Sequence, residues 1–88
     1  MPVLRISRTD PEPRRRALRL EGRLIGEWVD LLAATCHAEL GKRKHVVLDL
    51  SGVTYVSRAG VSLLCGLREL GVEWEHLPAF LKELTGDA

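Results

Sequence analysis

The sequence predicts a small α/β domain with a mostly parallel sheet, and two observations carry this prediction. The first is the nearly continuous apolar run HVVLDL at residues 45–50, which is typical of a central parallel strand covered by helices. The second is the alternation of strand-like and helix-like periodicity after Ala17. After an initial antiparallel hairpin, the predicted order is strand, helix, strand, helix, strand, helix, which implies crossovers between parallel strands.

The strands follow from short alternating patterns. Val3–Ile6 is the predicted first strand, and Thr9–Pro13 is a hairpin loop because its two prolines forbid regular pairing. Ala17–Glu21 alternates apolar and charged residues, as a half-buried strand does. Val72–Glu75 is a short last strand with Trp74 inward and two glutamates outward. The three arginines at 14–16 indicate a solvated strand edge or, alternatively, a small anion-binding patch.

Three helices are expected between and after these strands. The first spans about Glu27–Leu40 by its apolar spacing, with three basic residues at 42–44 beside its negative end. A turn at Ser51-Gly52 precedes the second helix, about Arg58–Leu70, which is apolar almost all round and is expected to be the most buried. Gly60 and Gly66 are expected to let it approach the sheet closely. Pro78 opens the last helix.

Composition narrows the class of protein. The 88 residues fit a single domain over 1–88, and 13 basic against 12 acidic residues give no electrostatic reason to expect nucleic acid or a membrane surface. Cys36 and Cys65 are interpreted as buried thiols of a cytoplasmic protein, because two cysteines do not make a disulfide framework. The sequence contains no nucleophile-base motif and no metal-ligand spacing, so we expect neither an enzyme nor a cofactor.

Three segments carry a family resemblance: LEGRLIGEWVDLL at 20–32, HVVLDLSGVTYVSRAGVSLL at 45–64 and LPAFLKELTG at 77–86. They resemble the STAS domain family, which includes bacterial anti-sigma factor antagonists and the cytoplasmic tails of sulfate transporters. The resemblance implies a small sheet with helices packed beside it and a non-enzymatic role in binding an anti-sigma kinase. The family's usual last strand and last helix have no counterpart here, which indicates a short, divergent member.

The resemblance also points to the start of the second helix. In the antagonists, a Ser or Thr there is phosphorylated within an Asp-Ser-Ser-Gly motif, and this switches binding off. By position, Ser57 stands at the Asp, Arg58 at the first Ser and Ala59 at the phosphoacceptor, so that only Gly60 matches. Alanine has no hydroxyl, and the family's usual switch therefore cannot operate at this position.

Two residues of this segment have alternative interpretations. Ser57 is a helix N-cap, whose hydroxyl would accept a hydrogen bond from the N–H of Ala59 or Gly60, or it is a substitute phosphoacceptor next to a cation. Arg58 reaches solvent, or it meets an acidic group of a partner or an anion held at the helix start. With Ser62 one turn further on, residues 57–60 form the predicted partner-binding surface.

The expected function is a cytoplasmic interaction module whose partner is a protein, either an anti-sigma factor, a kinase-like protein or another regulator. One alternative is a nucleotide-binding or anion-binding sensor domain, because a helix start with an arginine can hold an anion. The other is a homodimer or a structural subunit of a larger assembly, since a sheet ending at the Trp74 strand has an open edge.

Overall fold

Four strands lie side by side in chain order, and three helices connect or follow them. The computed structural model describes residues 3–9 and 14–86, so the predicted hairpin loop beyond Thr9 lies outside the described residues. The elements are β1 Leu4–Arg8, β2 Arg15–Leu24, α1 Glu27–Gly41, β3 His45–Val56, α2 Arg58–Glu69, β4 Glu73–Glu75 and α3 Ala79–Thr85. The predicted order of elements is confirmed.

The sheet is mixed, as predicted. β1 pairs with β2 in antiparallel fashion, while β2 with β3 and β3 with β4 are parallel pairs. One face of the sheet and all three helices share a single core, with Leu48 and Leu50 from β3, Leu32 from α1, Leu64 from α2 and Leu81 from α3. Because each helix contributes to the same core as these strand residues, the helices cover one face of the sheet.

The other face of the sheet is polar and carries ion pairs between strands. A guanidinium nitrogen of Arg15 on β2 lies 3.0 Å from a carboxylate oxygen of Glu75 on β4, and His45 Nε2 lies 3.3 Å from Glu73. The register places Val47 between these partners, and its side chain is buried although no helix covers it. The outward glutamates and the inward Trp74 are confirmed.

The segment at residues 14–16 is paired on one side only among the described residues. Arg15 and Arg16 pair with His45 and Val46 of β3, whereas β1 pairs only with residues 18–22 of β2. Arg15 bridges to β4, and Arg16 points to the helix face, where its Nε lies 3.1 Å from Glu39. Arg14, just before the strand, is exposed.

The predicted turn at Ser51-Gly52 is wrong, because β3 continues without a break from His45 to Val56. Between Asp49 and Val56, β3 contains two β-bulges, and at each of them it has one residue more than the paired stretch of β2. Because of these bulges, the buried residues Leu50, Val53 and Val56 are spaced three positions apart. Gly52 permits this pairing, since an added Cβ would lie 2.9 Å from the carbonyl oxygen of Leu20 on β2.

The burial of the helices also corrects one expectation. α2 buries only Gly60, Leu64 and Leu67, whereas α1 buries four residues, so α2 is not the more buried helix. An added Cβ at Gly66 would meet nothing within 4 Å, and this glycine therefore serves no close approach. Cys36 is fully buried as predicted, but Cys65 is only half-buried.

Candidate functional site

The site predicted from the sequence lies where β3 ends and α2 begins. Ser57 has extended backbone angles and is the N-cap of α2, because its Oγ accepts a hydrogen bond from the N–H of Gly60 at 3.2 Å. Its own N–H donates to the carbonyl of Leu24 at the end of β2, at 3.0 Å. The predicted N-cap is confirmed, and β2 and β3 together fix the position at which the helix starts.

Gly60 holds the first turn of α2 close to the sheet. It is buried, and a Cβ added here would lie 2.7 Å from Cγ1 of Val56 and 3.0 Å from the carbonyl oxygen of Leu24. Real Cβ atoms do not approach other atoms at the shorter of these distances, so glycine is required for the observed packing. The close approach predicted for this position is therefore present.

The outward side of the same turn is open to solvent. Arg58, Ala59 and Ser62 are all exposed, and their spacing places them within about 100° of each other around the helix. The structure thus brings Arg58, Ala59 and Ser62 together on one exposed stripe, with the cap Ser57 half-buried beneath it. Gly60, also predicted for this surface, is instead buried and faces the sheet. Ser62 lies between Arg58 and Ala59 around the helix, and the Ala59 methyl group is at one side of this stripe.

Arg58 has no acidic partner among the residues that the structure describes. A cation in the first turn opposes the helix dipole at a cost of about 0.3–1 kcal/mol when it is exposed. No described contact offsets this cost. Within the described chain, Arg58 is exposed to solvent, which is the first of its two interpretations. Its guanidinium is therefore available to a partner.

Sequence reasoning missed Tyr55, which lies two residues before the cap at the same edge of the sheet. Its side chain is 54% exposed, and it pairs in register with Arg23 at the end of β2. Exposed tyrosines next to cations are common in protein interfaces. The signal was present in the sequence, because the β3 bulge that turns Tyr55 outward follows a Ser-Gly pair inside an apolar run.

A second missed residue is Glu39, which lies at the far end of α1 and is 2% exposed. Burial raises the pKa of its carboxyl, but the hydrogen bond from Arg16 and the charges of Arg16, Lys42 and Lys44 outweigh burial and hold that pKa below 4.5. Its sequence signal was its position three residues after Cys36, on the buried stripe of α1.

Asp49 lies within β3 and accepts a hydrogen bond from the N–H of Ser51, at 3.0 Å, where the sequence had predicted the approach to a turn. Burial raises the pKa of Asp49, but this hydrogen bond, with nearby positive charge, brings it below its ordinary value. Asp49 therefore stabilises the bulged part of β3 and is not part of the site.

Among the described residues, no three histidine, cysteine or acidic side chains lie together as metal ligands would. Within residues 3–9 and 14–86, none of the helices has the length and apolar character needed to cross a membrane.

Comparison with known proteins identifies the family. A family model described as "Mlab, STAS domain" matches residues 7–84, which is most of the chain. The chain belongs to the STAS domain family. STAS domains are typically non-enzymatic binding or regulatory domains, and the family predicted from the three sequence segments is confirmed.

Solved STAS structures share the fold at low sequence identity. The unphosphorylated anti-sigma factor antagonist SpoIIAA has 15% identity and a TM-score of 0.76, over 96% of this chain and 84% of that one. An antagonist from Mycobacterium paratuberculosis has 16% identity and a TM-score of 0.73, over 94% and 78% of the two chains. The murine anion transporter Slc26a9 has 19% identity and a TM-score of 0.61, over 85% of this STAS domain but 14% of the transporter. No curated protein matches the sequence.

Proposed function

We propose that this STAS domain is a non-enzymatic protein-interaction module that binds a regulatory protein through the start of α2. The surface comprises Arg58, Ala59 and Ser62, and it is held in place by the Ser57 cap and the buried Gly60. The partner is an anti-sigma factor, a kinase-like protein or another regulator in the cytoplasm, and the whole chain 1–88 acts as one domain. Structural similarity to two anti-sigma factor antagonists supports this proposal.

The observation that carries the proposal is the contrast between the two sides of the first turn of α2. Its inner side is fixed by the Gly60 contact and the Ser57 cap, so the turn is rigidly positioned. Its outer side exposes Arg58, a cation for which the described residues provide no carboxylate, beside the small Ala59. An exposed cation without a described carboxylate partner, on a firmly positioned turn, is suited to an acidic group of a partner, where a charge-assisted hydrogen bond would form.

Ala59 decides how this surface is regulated. With a methyl group at the position of the usual phosphoacceptor, the domain binds its partner without that switch. Ser57 is the substitute acceptor, but its Oγ is already engaged with the N–H of Gly60. A phosphate at this N-cap would lie at the positive end of the helix dipole and next to Arg58, so that it would mask the cation without unfolding α2.

The test is capture of partners from the native cytoplasm, followed by affinity measurement with the captured protein. Arg58→Glu should weaken binding at least about tenfold, because it replaces an attractive contact by a repulsive one. Lys82→Glu on the exposed side of α3 is the matched control, since it changes the net charge equally and should bind as the wild type does. Equal binding by all three proteins would remove the start of α2 from the interface.

Self-association is the second candidate function, and the open edges of the sheet favour it. In the described part of the chain, β1 and β4 each have one unpaired side, which another chain could extend. β4 offers only three residues, and its two glutamates are held by Arg15 and His45 on the polar face. Light scattering at increasing concentration separates the two functions, because a monomer at all concentrations contradicts a dimeric role.

A further inference from the structure

Among the described residues, one end of the domain concentrates positive charge, although the net charge of the chain is only +1. It lies where β1 ends, β2 begins and α1 ends. The start of α2 lies at the opposite end of the strands. We call this end the basic pole and define it by six residues: Arg8, Arg14, Arg16, Lys42, Arg43 and Lys44. Two separate segments of the chain, residues 8–16 and the α1–β3 connection, supply these cations.

Glu39 compensates only part of the positive charge of the basic pole. Its buried carboxylate lies 3.1 Å from Arg16 and 3.8–3.9 Å from Arg8, Lys42 and Lys44. The end of the α1 dipole contributes a further negative charge of about one half. Arg14 and Arg43 form no ion pair with any described residue.

The cations that remain surround a depression in the surface. Its volume is about 380 Å³, and it is lined by Arg14, Lys42, Arg43 and Lys44, without an acidic residue among the described ones. Like charges that line a concave surface focus a positive potential and attract a compact anion. Arginine and lysine nitrogens also donate charge-assisted hydrogen bonds to phosphate and carboxylate oxygens.

The surroundings of the depression restrict the kind of ligand. No aromatic side chain of the described residues lines it, so it offers no platform on which a nucleobase could stack. Within residues 3–9 and 14–86 the exposed large apolar side chains are Leu31, Tyr55, Leu70 and Leu84. None of them lines the depression, so these residues place no large apolar side chain there to enter a bilayer. These features favour a small and highly charged ligand over a macromolecular surface.

We propose that the basic pole binds a small oxyanion with several negative charges, carried by phosphate or carboxylate groups, in the depression between Arg14 and Arg43. The site is independent of the interaction surface at the start of α2. In this site Arg14 lines the depression. Arg16 orders Glu39, and Glu39 in turn holds Lys42 and Lys44 at the rim.

Calorimetric titration of the full chain with tripolyphosphate and with citrate tests this site. The test variant is Arg14→Gln/Arg43→Gln, which leaves every cation around Glu39 in place. The control is Arg5→Gln/Arg23→Gln, at two exposed positions outside the basic pole. Each pair removes two positive charges from a chain of net charge +1, so long-range electrostatics are matched. Circular dichroism verifies that both variants are folded.

The wild type should bind at least one of the two anions with a dissociation constant below about 1 mM at low salt. The test variant should bind about tenfold more weakly, and the control should stay within about twofold of the wild type. Tighter binding of tripolyphosphate would assign phosphate as the recognised group, and tighter binding of citrate would assign carboxylate. The proposal is overturned if neither anion binds or if both variants weaken binding equally. It is also overturned if only phosphatidylglycerol vesicles or DNA bind.

Discussion

Replacing Gly60 by alanine tests whether the start of α2 is held against the sheet as tightly as the structure shows. Helix propensity alone would make the alanine variant more stable by about 1 kcal/mol. The added methyl group, however, would lie 2.7 Å from Val56 and 3.0 Å from the carbonyl oxygen of Leu24. That carbonyl accepts the hydrogen bond from Ser57, so it cannot move without weakening the site.

Overpacking of this kind costs about 1–3 kcal/mol, and Val56 has little rotamer freedom with which to relieve it. After subtraction of the propensity gain, we expect Gly60→Ala to lower the free energy of unfolding by up to about 2 kcal/mol. Gly66→Ala, in the same helix with nothing near its added Cβ, should instead raise it by about 0.5–1 kcal/mol.

Urea unfolding followed by circular dichroism measures both values, and thermal unfolding should show opposite shifts of about 4–8 °C per kcal/mol for a domain of this size. The pair of variants isolates packing, because both exchange glycine for alanine within α2. If Gly60→Ala is as stable as Gly66→Ala, the close approach of the helix start to Val56 and Leu24 is wrong.

Three further predictions concern the cap, the buried acid and the thiols. Ser57→Ala should lower the urea-derived unfolding free energy by about 1 kcal/mol and Ser57→Asn by only a few tenths, because Asn keeps a capping oxygen; equal losses would contradict the cap. The pKa of Glu39 lies below 4.5, so its stabilising effect is complete above that value and is lost as the pH falls through the lower folded-state pKa. Urea midpoints measured between about pH 7 and pH 3 should therefore fall less steeply for Glu39→Gln than for the wild type; equally steep curves would argue against this linkage. Burial, and then the charge of Glu39, raises the pKa of Cys36 to about 11. A thiol reagent at about pH 8 should therefore add one label to the native protein, at Cys65, and two after denaturation, as counted by mass spectrometry; rapid double labelling of the native protein would contradict the burial.

The order of elements could be predicted because each one is encoded locally. Alternation of apolar and charged residues in β2 and the apolar run in β3 each indicate a strand without reference to the rest of the chain. The Ser57 cap is local as well, since it depends on a hydroxyl three residues before the N–H that it satisfies. These predictions needed no knowledge of what packs against each element.

The errors arose where pairing between distant segments decides the structure. The bulges of β3 exist because β2 pairs alongside it, and a Ser-Gly pair within a bulged strand has the same composition as a turn. Glu39 is buried because cations from β1, β2 and the α1–β3 connection pair with it. A glutamate on a helix otherwise usually lies on the solvent-exposed side. The apolar periodicity of α1 alone does not predict these ion-pair partners of Glu39.

The same pairing explains why the two proposed surfaces are independent. Since β2 and β3 run parallel, α1 and α2 both start at the carboxyl ends of these strands, and α1 ends at the opposite end of the strands. The 15 residues of α1 therefore separate Ser57 from the basic pole by about 22 Å. A small anion cannot contact both sites, so titration with tripolyphosphate should leave the NMR signal of Arg58 unchanged. A protein partner is large enough to cover both, and its affinity would then depend on Arg58 and Arg43 separately and additively, as expected for distant positions without shared contacts.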